Sequence, residues 1–100
     1  MDFGLSEDLI REIIEIISRY GCVKRVILYG SRARGDFRRT SDIDLAIEGC
    51  PDWVVADIRE TLEEEAPTLL TFDVVSLGKA PEGLRKNILR EGVAIYEKTP

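Results

Sequence analysis

The spacing of apolar side chains divides the first third of the chain into a helix and a strand. Ser6 has the chemistry of a helix N-cap, and apolar residues follow it at helical spacing as far as Tyr20. Gly21 then suits the C′ position that ends such a helix. Residues 23–29 form a β-branched, apolar run, which predicts a buried strand that ends at Gly30.

The middle of the chain carries a polar connection, a second strand and a second long helix. Residues 31–41 are too polar for a core, so we predict a short helical turn followed by a loop. Residues 42–48 alternate, which predicts a strand with aliphatic side chains on one face and two aspartates and an alanine on the other. The second helix has Pro51 in its first turn and ends before Pro67, and we expect Trp53 on it to be half-packed against the core. Its inward positions are Val54, Val55, Ile58 and Leu62.

The last third of the chain continues the alternation of helices and strands. Residues 70–77 predict a third strand, residues 81–92 a short helix closed by Gly92, and residues 93–97 a final strand. Helices and strands that alternate in this way predict an α/β fold, with helices packed on a sheet. The length suits one domain over residues 1–100.

Composition narrows the class of protein. The chain is 44% hydrophobic and 33% charged, which is typical of a globular domain. Its apolar runs are far shorter than the roughly 20 residues of a membrane helix, and its acidic N-terminus lacks the features of a signal peptide. We therefore predict a cytoplasmic protein with no membrane partner.

The basic residues are concentrated in one segment of an acidic chain. Residues 24–39 hold six basic residues and one acidic residue, and this local charge of +5 leaves −10 for the rest of a chain whose net charge is −5. Such a patch suits a small polyanion such as a nucleotide better than long nucleic acid. The sequence contains no histidine, which excludes histidine acid–base chemistry and zinc sites with histidine ligands.

Three aspartates are candidates for chemistry. Asp42 and Asp44 lie two residues apart in a predicted strand, so both side chains leave the same face. Asp73, in the next predicted strand, can reach that face as well. Carboxylate oxygens are ligands that Mg²⁺ prefers, and three of them around one or two ions suit nucleotidyl transfer. For the two aspartates of residues 42–44 alone, the solvated face of an antiparallel sheet remains the simpler interpretation.

A Gly-Ser pair changes that interpretation. Gly30 at a strand end lets the backbone approach a phosphate, and the amides of the following turn can bind an anion. Gly30 and Ser31 are followed by ten residues and then by the two aspartates of residues 42–44. With Asp73 in the stretch TFDVVSL, this spacing resembles the motif of the minimal nucleotidyltransferase family, within the polymerase-β-like nucleotidyltransferase superfamily. The resemblance implies the fold of that superfamily, a mixed sheet of about four strands with helices packed on it.

The resemblance also implies a role for each residue of the motif. Asp42 and Asp44 would hold Mg²⁺, for which we expect two ions, while Asp73 would complete the metal site and help to activate the attacking hydroxyl. Ser31, with the backbone amides next to Gly30, would bind the β- and γ-phosphates of ATP.

Four arginines lie between these motif residues. Arg32 and Arg34 lie near the phosphate end of the motif, and we expect them to bind the nucleotide by offsetting its charge. Arg38 and Arg39 suit a solvated loop and a partner-facing surface equally well, and the sequence leaves both interpretations open.

The resemblance implies a function that needs a second protein. Minimal members of the family transfer AMP from ATP to a tyrosine of a small helical toxin of the HEPN kind, and so act as its antitoxin. We therefore expect a hetero-oligomer with a HEPN-type partner that supplies the acceptor. Transfer to RNA or to a small molecule is an alternative, and so is a non-catalytic subunit that neutralises its partner by contact.

The site also predicts how two strands pair. For Gly30 and Asp42 to share a site, the first two strands must be antiparallel neighbours. Eight residues back from Gly30 lies Cys22, and eight residues on from Asp42 lies Cys50, so this register brings the two cysteines together. Two buried thiols are the usual state in a reducing compartment, but a disulfide fits the spacing as well.

Overall fold

The computed structural model describes residues 2–99, and it confirms the predicted order of elements. Within this range four helices and four strands alternate: α1 (Glu7–Ser18), β1 (Arg25–Tyr29), α2 (Ser31–Arg34), β2 (Ile43–Glu48), α3 (Asp52–Glu65), β3 (Phe72–Ser76), α4 (Glu82–Glu91) and β4 (Val93–Glu97). None of the helices in this range is long and apolar enough to cross a lipid bilayer.

The four strands form one mixed sheet in the order β3-β2-β1-β4. The strand β1 is antiparallel to both β2 and β4, whereas β2 and β3 are parallel and are joined through α3. The fold is therefore the predicted mixed α/β arrangement, with helices packed on a sheet.

The register between β1 and β2 differs by one residue from the predicted one. Tyr29 pairs with Asp44, so Gly30 is not the register partner of Asp42 that the predicted register required. The predicted register would have paired Leu28 with Asp44, which would place an apolar side chain and a carboxylate on the same face. The observed register pairs Leu28 with Leu45, because a one-residue slip exchanges the two faces of a strand.

One face of the sheet carries the larger core. The alternating residues Ile43, Leu45 and Ile47 of β2 are completely buried on this face. They pack with apolar side chains of α1 and α3, and the four inward positions predicted for α3 are all buried. Each such aliphatic side chain contributes about 1.5–3 kcal/mol through burial, which makes this face the main source of stability.

The first helix begins as predicted but ends earlier. The Ser6 hydroxyl accepts a hydrogen bond from the Leu9 amide at 3.1 Å, which confirms the N-cap. The prediction that Gly21 occupies the C′ position is wrong, because the helix ends at Ser18. The Arg19 amide bonds to carbonyls of the last turn, and this tightened end needs no left-handed glycine.

The other face of the sheet is covered over only part of its length. Ile27 of β1 and Ala46 of β2 are buried there beneath Ile88 of α4. The helix α4 therefore covers the middle of this face. The aspartates at the start of β2 and β3 extend from the same face, since side chains alternate along a strand.

Two details of the first two strands and of α3 complete the fold. Cys22, just before β1, and Cys50, just after β2, form a disulfide with a Cα–Cα distance of 5.1 Å, so the structure favours the second of the two cysteine states left open by the sequence. The prediction that Trp53 is half-packed is wrong, because 76% of its surface is exposed on the first turn of α3.

Candidate active site

The three predicted carboxylates come from neighbouring parallel strands. Asp44 of β2 and Asp73 of β3 are register partners, so their side chains lie side by side on one face. Asp42 precedes β2, and its carboxylate accepts a hydrogen bond from the Thr71 hydroxyl. The Ile43 amide donates to the Thr71 carbonyl at 2.9 Å, which holds the starts of the two strands together.

The Gly-Ser turn lies directly against this pair of strands. Gly30 has a φ of 76° and a ψ of −155°, a conformation that side-chain-bearing residues rarely adopt. A Cβ atom at Gly30 would overlap the Oδ2 atom of Asp44. Only glycine therefore allows the backbone of this turn to touch the carboxylate.

The short helix α2 follows from the same turn. The amides of Ala33 and Arg34 donate to the Gly30 carbonyl at 3.1 and 3.0 Å, and Gly35 ends the helix in the left-handed conformation. The amides of Ser31 and Arg32 have no acceptor within the helix, as is usual in a first helical turn. Ser31 is partly exposed and directly follows Gly30, whose backbone lies against the Asp44 carboxylate.

The carboxylates are in an electrostatically unfavourable arrangement. Burial, followed by the negative charges of Asp73 and Asp42, raises the pKa of Asp44 to about 6, although the charges of Arg34 and Arg32 oppose this rise. A cation bound here would relieve the repulsion among the three carboxylates.

Tyr29 is a neighbour of the site that the sequence analysis missed. Burial, followed by the charges of Asp73 and Asp44, raises the pKa of its phenol to about 12. The hydroxyl therefore stays protonated at neutral pH and forms a half-buried wall beside the carboxylates. Tyr29 lies opposite Asp44 in the antiparallel pair and so shares its face, but the predicted register put Leu28 there and gave no signal for Tyr29.

The donor set suits Mg²⁺. Three aspartates offer only oxygen ligands, and Mg²⁺ commonly takes its remaining ligands from water and from substrate phosphates. Across residues 2–99 no group of three or more His, Cys, Asp or Glu side chains is already gathered around a single point. Asp42, Asp44 and Asp73 nevertheless lie on one face and at one end of the sheet. The hydrogen bond from the Thr71 hydroxyl orients the carboxylate of Asp42.

Arg32 has a different surrounding from the one expected of a nucleotide ligand. Only 1% of this residue is exposed. Its guanidinium donates to the carbonyls of Ser41 at 2.9 Å, Phe3 at 3.0 Å and Arg39 at 3.2 Å, and lies 5.2 Å from the centre of the Phe37 ring. These contacts use the N–H groups that a phosphate would need, so we no longer expect Arg32 to bind nucleotide.

Arg34 remains available to a phosphate. Its side chain is 44% exposed and forms ion pairs with Asp36 at 3.3 Å and Glu91 at 3.2 Å. Its charge lowers the pKa of Asp44, which places it within electrostatic reach of the carboxylates. Exposed ion pairs of this kind are weak, and a triphosphate can compete for the guanidinium.

Two cavities of the structure lie away from the carboxylates. A cavity of about 530 Å³ is lined by Arg25 and Glu48 at the opposite end of β1 and β2. A second, of about 410 Å³, lies along β3 between α3 and α4 and includes Val75. Asp42, Asp44 and Asp73 line neither of these two cavities, and Asp42 and Asp73 are exposed whereas Asp44 is half-buried.

Comparisons with known proteins agree with this arrangement. The family described as "Polymerase beta, Nucleotidyltransferase" matches residues 11–100. A Methanocaldococcus jannaschii protein, named provisionally as a protein adenylyltransferase, is 34% identical over 103 residues, which are 90% of this chain and 97% of that protein.

Two solved structures show the same fold. A chain from a toxin–antitoxin complex with AMP-PNP has a TM-score of 0.73 and 21% identity, over 94% of this chain and 75% of that chain. A chain from a complex between the tri-AMPylated HEPN toxin of Shewanella oneidensis and its MNT antitoxin has a TM-score of 0.71 and 16% identity, over 94% and 74% of the two chains.

The matched region of the family includes every residue of the candidate site. The Gly-Ser turn, the carboxylate pair of β2 and the carboxylate of β3 all fall within residues 11–100. The chain therefore belongs to the polymerase-β nucleotidyltransferase family, as one of its minimal members.

Proposed function

We propose that this nucleotidyltransferase transfers AMP from Mg²⁺-bound ATP to a tyrosine hydroxyl of a HEPN-type partner, and thereby acts as an antitoxin. One observation carries the proposal: the Gly30 turn is packed against Asp44, which lies in register with Asp73. This contact combines a phosphate-approaching backbone with carboxylates suited to Mg²⁺ in a single site.

Each residue of the site has a defined task in the proposed reaction. Asp42 and Asp44 would hold Mg²⁺, which would supply positive charge for the triphosphate and the leaving pyrophosphate. The Ser31 hydroxyl and the amides of its turn bind the β- and γ-phosphates, and Arg34 offsets their remaining charge. An Asp73 carboxylate oxygen accepts the proton of the attacking hydroxyl. The new bond joins that oxygen to the α-phosphorus, and the bond from the α-phosphorus to pyrophosphate breaks.

A protein acceptor is supported by the shape of the site and by the relatives. Asp42 and Asp73 are exposed, and efficient transfer requires an acceptor hydroxyl held in line with the bond that breaks. A docked protein can supply that alignment. Among proteins with this fold, one complex contains AMP-PNP and another contains an AMPylated HEPN toxin.

The proposal is tested with labelled ATP and Mg²⁺, and with a HEPN-type protein as the acceptor. We expect label from the α-phosphate to reach the partner and label from the γ-phosphate to remain in pyrophosphate. Asp44→Asn should abolish transfer, while Asp8→Asn, which removes the same charge from an exposed position on α1, should leave it unchanged.

Two other outcomes would contradict the proposal. Label that enters added RNA in preference to the protein would make this chain an RNA nucleotidyltransferase. Equal inhibition of the partner by the Asp44→Asn protein, without any gain of nucleotide mass, would show that contact alone neutralises it.

A further inference from the structure

Two arginines beside the site differ from all the others in the described part of the chain. The sequence contains ten arginines, and within residues 2–99 the side chains of eight form hydrogen bonds or ion pairs. The side chains of Arg38 and Arg39 form neither within that range, and both residues are exposed. Two adjacent cations on a chain of net charge −5 thus have no local partner among the described residues.

The backbone beneath these two side chains is held firmly. The Arg38 amide donates to the Ser41 hydroxyl at 2.8 Å, and the Ser41 amide donates back to the Arg38 carbonyl at 3.0 Å. From below, the buried Arg32 guanidinium donates to the carbonyls of Arg39 and Ser41. A solvated loop needs no such support, whereas a recognition loop gains from it because less entropy is lost on binding.

The burial of Arg32 is costly in itself. A fully buried guanidinium loses its hydration, and here carbonyl oxygens and the Phe37 ring replace that hydration in place of a carboxylate. In return, the bonds from the Arg32 guanidinium fix the turn that carries Arg38 and Arg39.

The turn also lies next to the reacting groups. Ser41 immediately precedes Asp42, and Arg39 lies three residues before it, so its Cα is within about 11 Å of the Asp42 Cα. In the proposed function, the phosphates of the nucleotide are bound by the Ser31 turn and by Arg34. Arg38 and Arg39 are therefore placed to contact what approaches the site from outside.

We propose that Arg38 and Arg39 form a docking pair for an acidic segment of the acceptor protein, next to the residue that receives AMP. This inference rests on the proposed function. An acidic segment would be repelled by most of this chain and attracted by its one basic segment, which fixes the orientation of approach. Guanidinium groups also pair with carboxylates through two parallel hydrogen bonds, which adds geometric selectivity.

The test measures binding without turnover. The probes are a synthetic peptide of alternating Glu and Ala around one Tyr, the same peptide with Lys in place of Glu, an oligouridylate, and Mg²⁺-ATP. The variant Arg38→Ser/Arg39→Ser is compared with Arg11→Ser/Lys86→Ser, which removes the same charge from exposed positions on α1 and α4. Thermal unfolding verifies that both variants remain folded.

We expect the parent chain to prefer the Glu peptide, and the Arg38→Ser/Arg39→Ser variant to bind it at least about tenfold more weakly at low salt. The affinity for Mg²⁺-ATP should change less than about twofold, and the Arg11→Ser/Lys86→Ser variant should retain the binding of both probes. Added salt should weaken the peptide complex of the parent much more than that of the Arg38→Ser/Arg39→Ser variant.

Three results would overturn the docking pair. An equal loss of ATP affinity would assign the arginines to the nucleotide, and unchanged or absent Glu-peptide binding would leave them as solvated side chains. Preferential binding of the oligouridylate would assign the surface to RNA. Failure of AMP transfer to a HEPN-type partner, by a parent chain that binds the Glu peptide through the two arginines, would count against the proposed function and would leave the docking pair intact.

Discussion

At the scale of single residues, the site contains an unfavourably placed charge and a strained backbone conformation, which the surrounding structure holds in place. Asp44 carries its charge in a partly buried position beside two other carboxylates, and Gly30 adopts a backbone conformation closed to most residues. Both features cost stability in the isolated chain. Natural proteins tolerate such local strain where function requires it.

Asp44 should make the stability of the metal-free protein depend on pH. Its folded pKa of about 6 lies above its ordinary value of 3.8, so its contribution to stability is complete below about pH 4 and is lost as the pH rises through about 6. Asp44→Asn should remove this dependence and stabilise the protein at pH 7.5 by about 1 kcal/mol, allowing for solvent screening at a half-exposed group.

Thermal unfolding in chelator at pH 4.5 and 7.5 measures this effect. The exposed carboxylate of Asp8 provides the control, and Asp8→Asn should leave the pH dependence unaltered. A clear loss of stability in Asp44→Asn at pH 7.5 would instead indicate a structural role for the carboxylate.

Gly30 should be the glycine least tolerant of a side chain near the site. Gly30→Ala introduces strain at a φ of 76° and an overlap with the Asp44 carboxylate, so we expect a loss of about 1–3 kcal/mol in chemical denaturation. Gly83→Ala is the matched control, because Gly83 lies inside α4 with open space around it. This substitution should stabilise the protein by about 0.5–1 kcal/mol. Equal effects of the two substitutions would contradict the close approach at Gly30.

At the scale of elements, the sequence was informative wherever the deciding contacts were local or periodic. The aliphatic stripe of α3 predicted its buried face, and the alternation of β2 predicted the shared face of Asp42 and Asp44. Arg32 and Tyr29 were not predictable in the same way, because their surroundings come from residues distant in sequence: the carbonyl of Phe3 for Arg32, and Asp73 for Tyr29. The one-residue error in the predicted register of β1 and β2 had the same origin. Counting residues from Gly30 and Asp42 does not reveal which face each residue of β1 occupies.

The loop between α2 and β2 should depend on the single cation beneath it. Arg32→Met keeps the volume of the side chain but leaves the carbonyls of Phe3, Arg39 and Ser41 without their donor. We expect a loss of about 2–4 kcal/mol in stability and faster hydrogen exchange across residues 36–41. Arg59→Met is the control, because Arg59 makes one partly buried bond to a carbonyl of β3. Unchanged exchange in residues 36–41 would show that the loop supports itself.

At the scale of the whole molecule, the site and the disulfide lie at opposite ends of the same pair of strands. The Cys22–Cys50 bond spans 28 residues of sequence, and that span contains the Gly-Ser turn and the carboxylate pair of β2. A small domain with a modest core benefits from such a cross-link because the unfolded chain is constrained.

Loss of the disulfide should lower global stability without changing the site. Cys22→Ser/Cys50→Ser should cost about 3 kcal/mol in denaturant unfolding, and a strong reductant should lower the stability of the parent by a similar amount. Reductant should have no effect on the variant. Binding of Mg²⁺-ATP at a temperature where both proteins are folded should be equal, and a large loss of binding would mean that the bond shapes the site.

The position of β3 at the edge of the sheet has a consequence for how the activity of the enzyme changes with temperature. Asp42 and Asp44 extend from the interior strand β2, whereas Asp73 extends from β3, which has β2 as its neighbour at that edge. Edge strands open locally at a lower free energy than the strands between them. Warming should therefore separate Asp73 from Asp42 and Asp44 while the rest of the sheet persists. On the proposed function, catalytic capacity then fades at a lower temperature than the fold, and it returns on cooling without any need to refold.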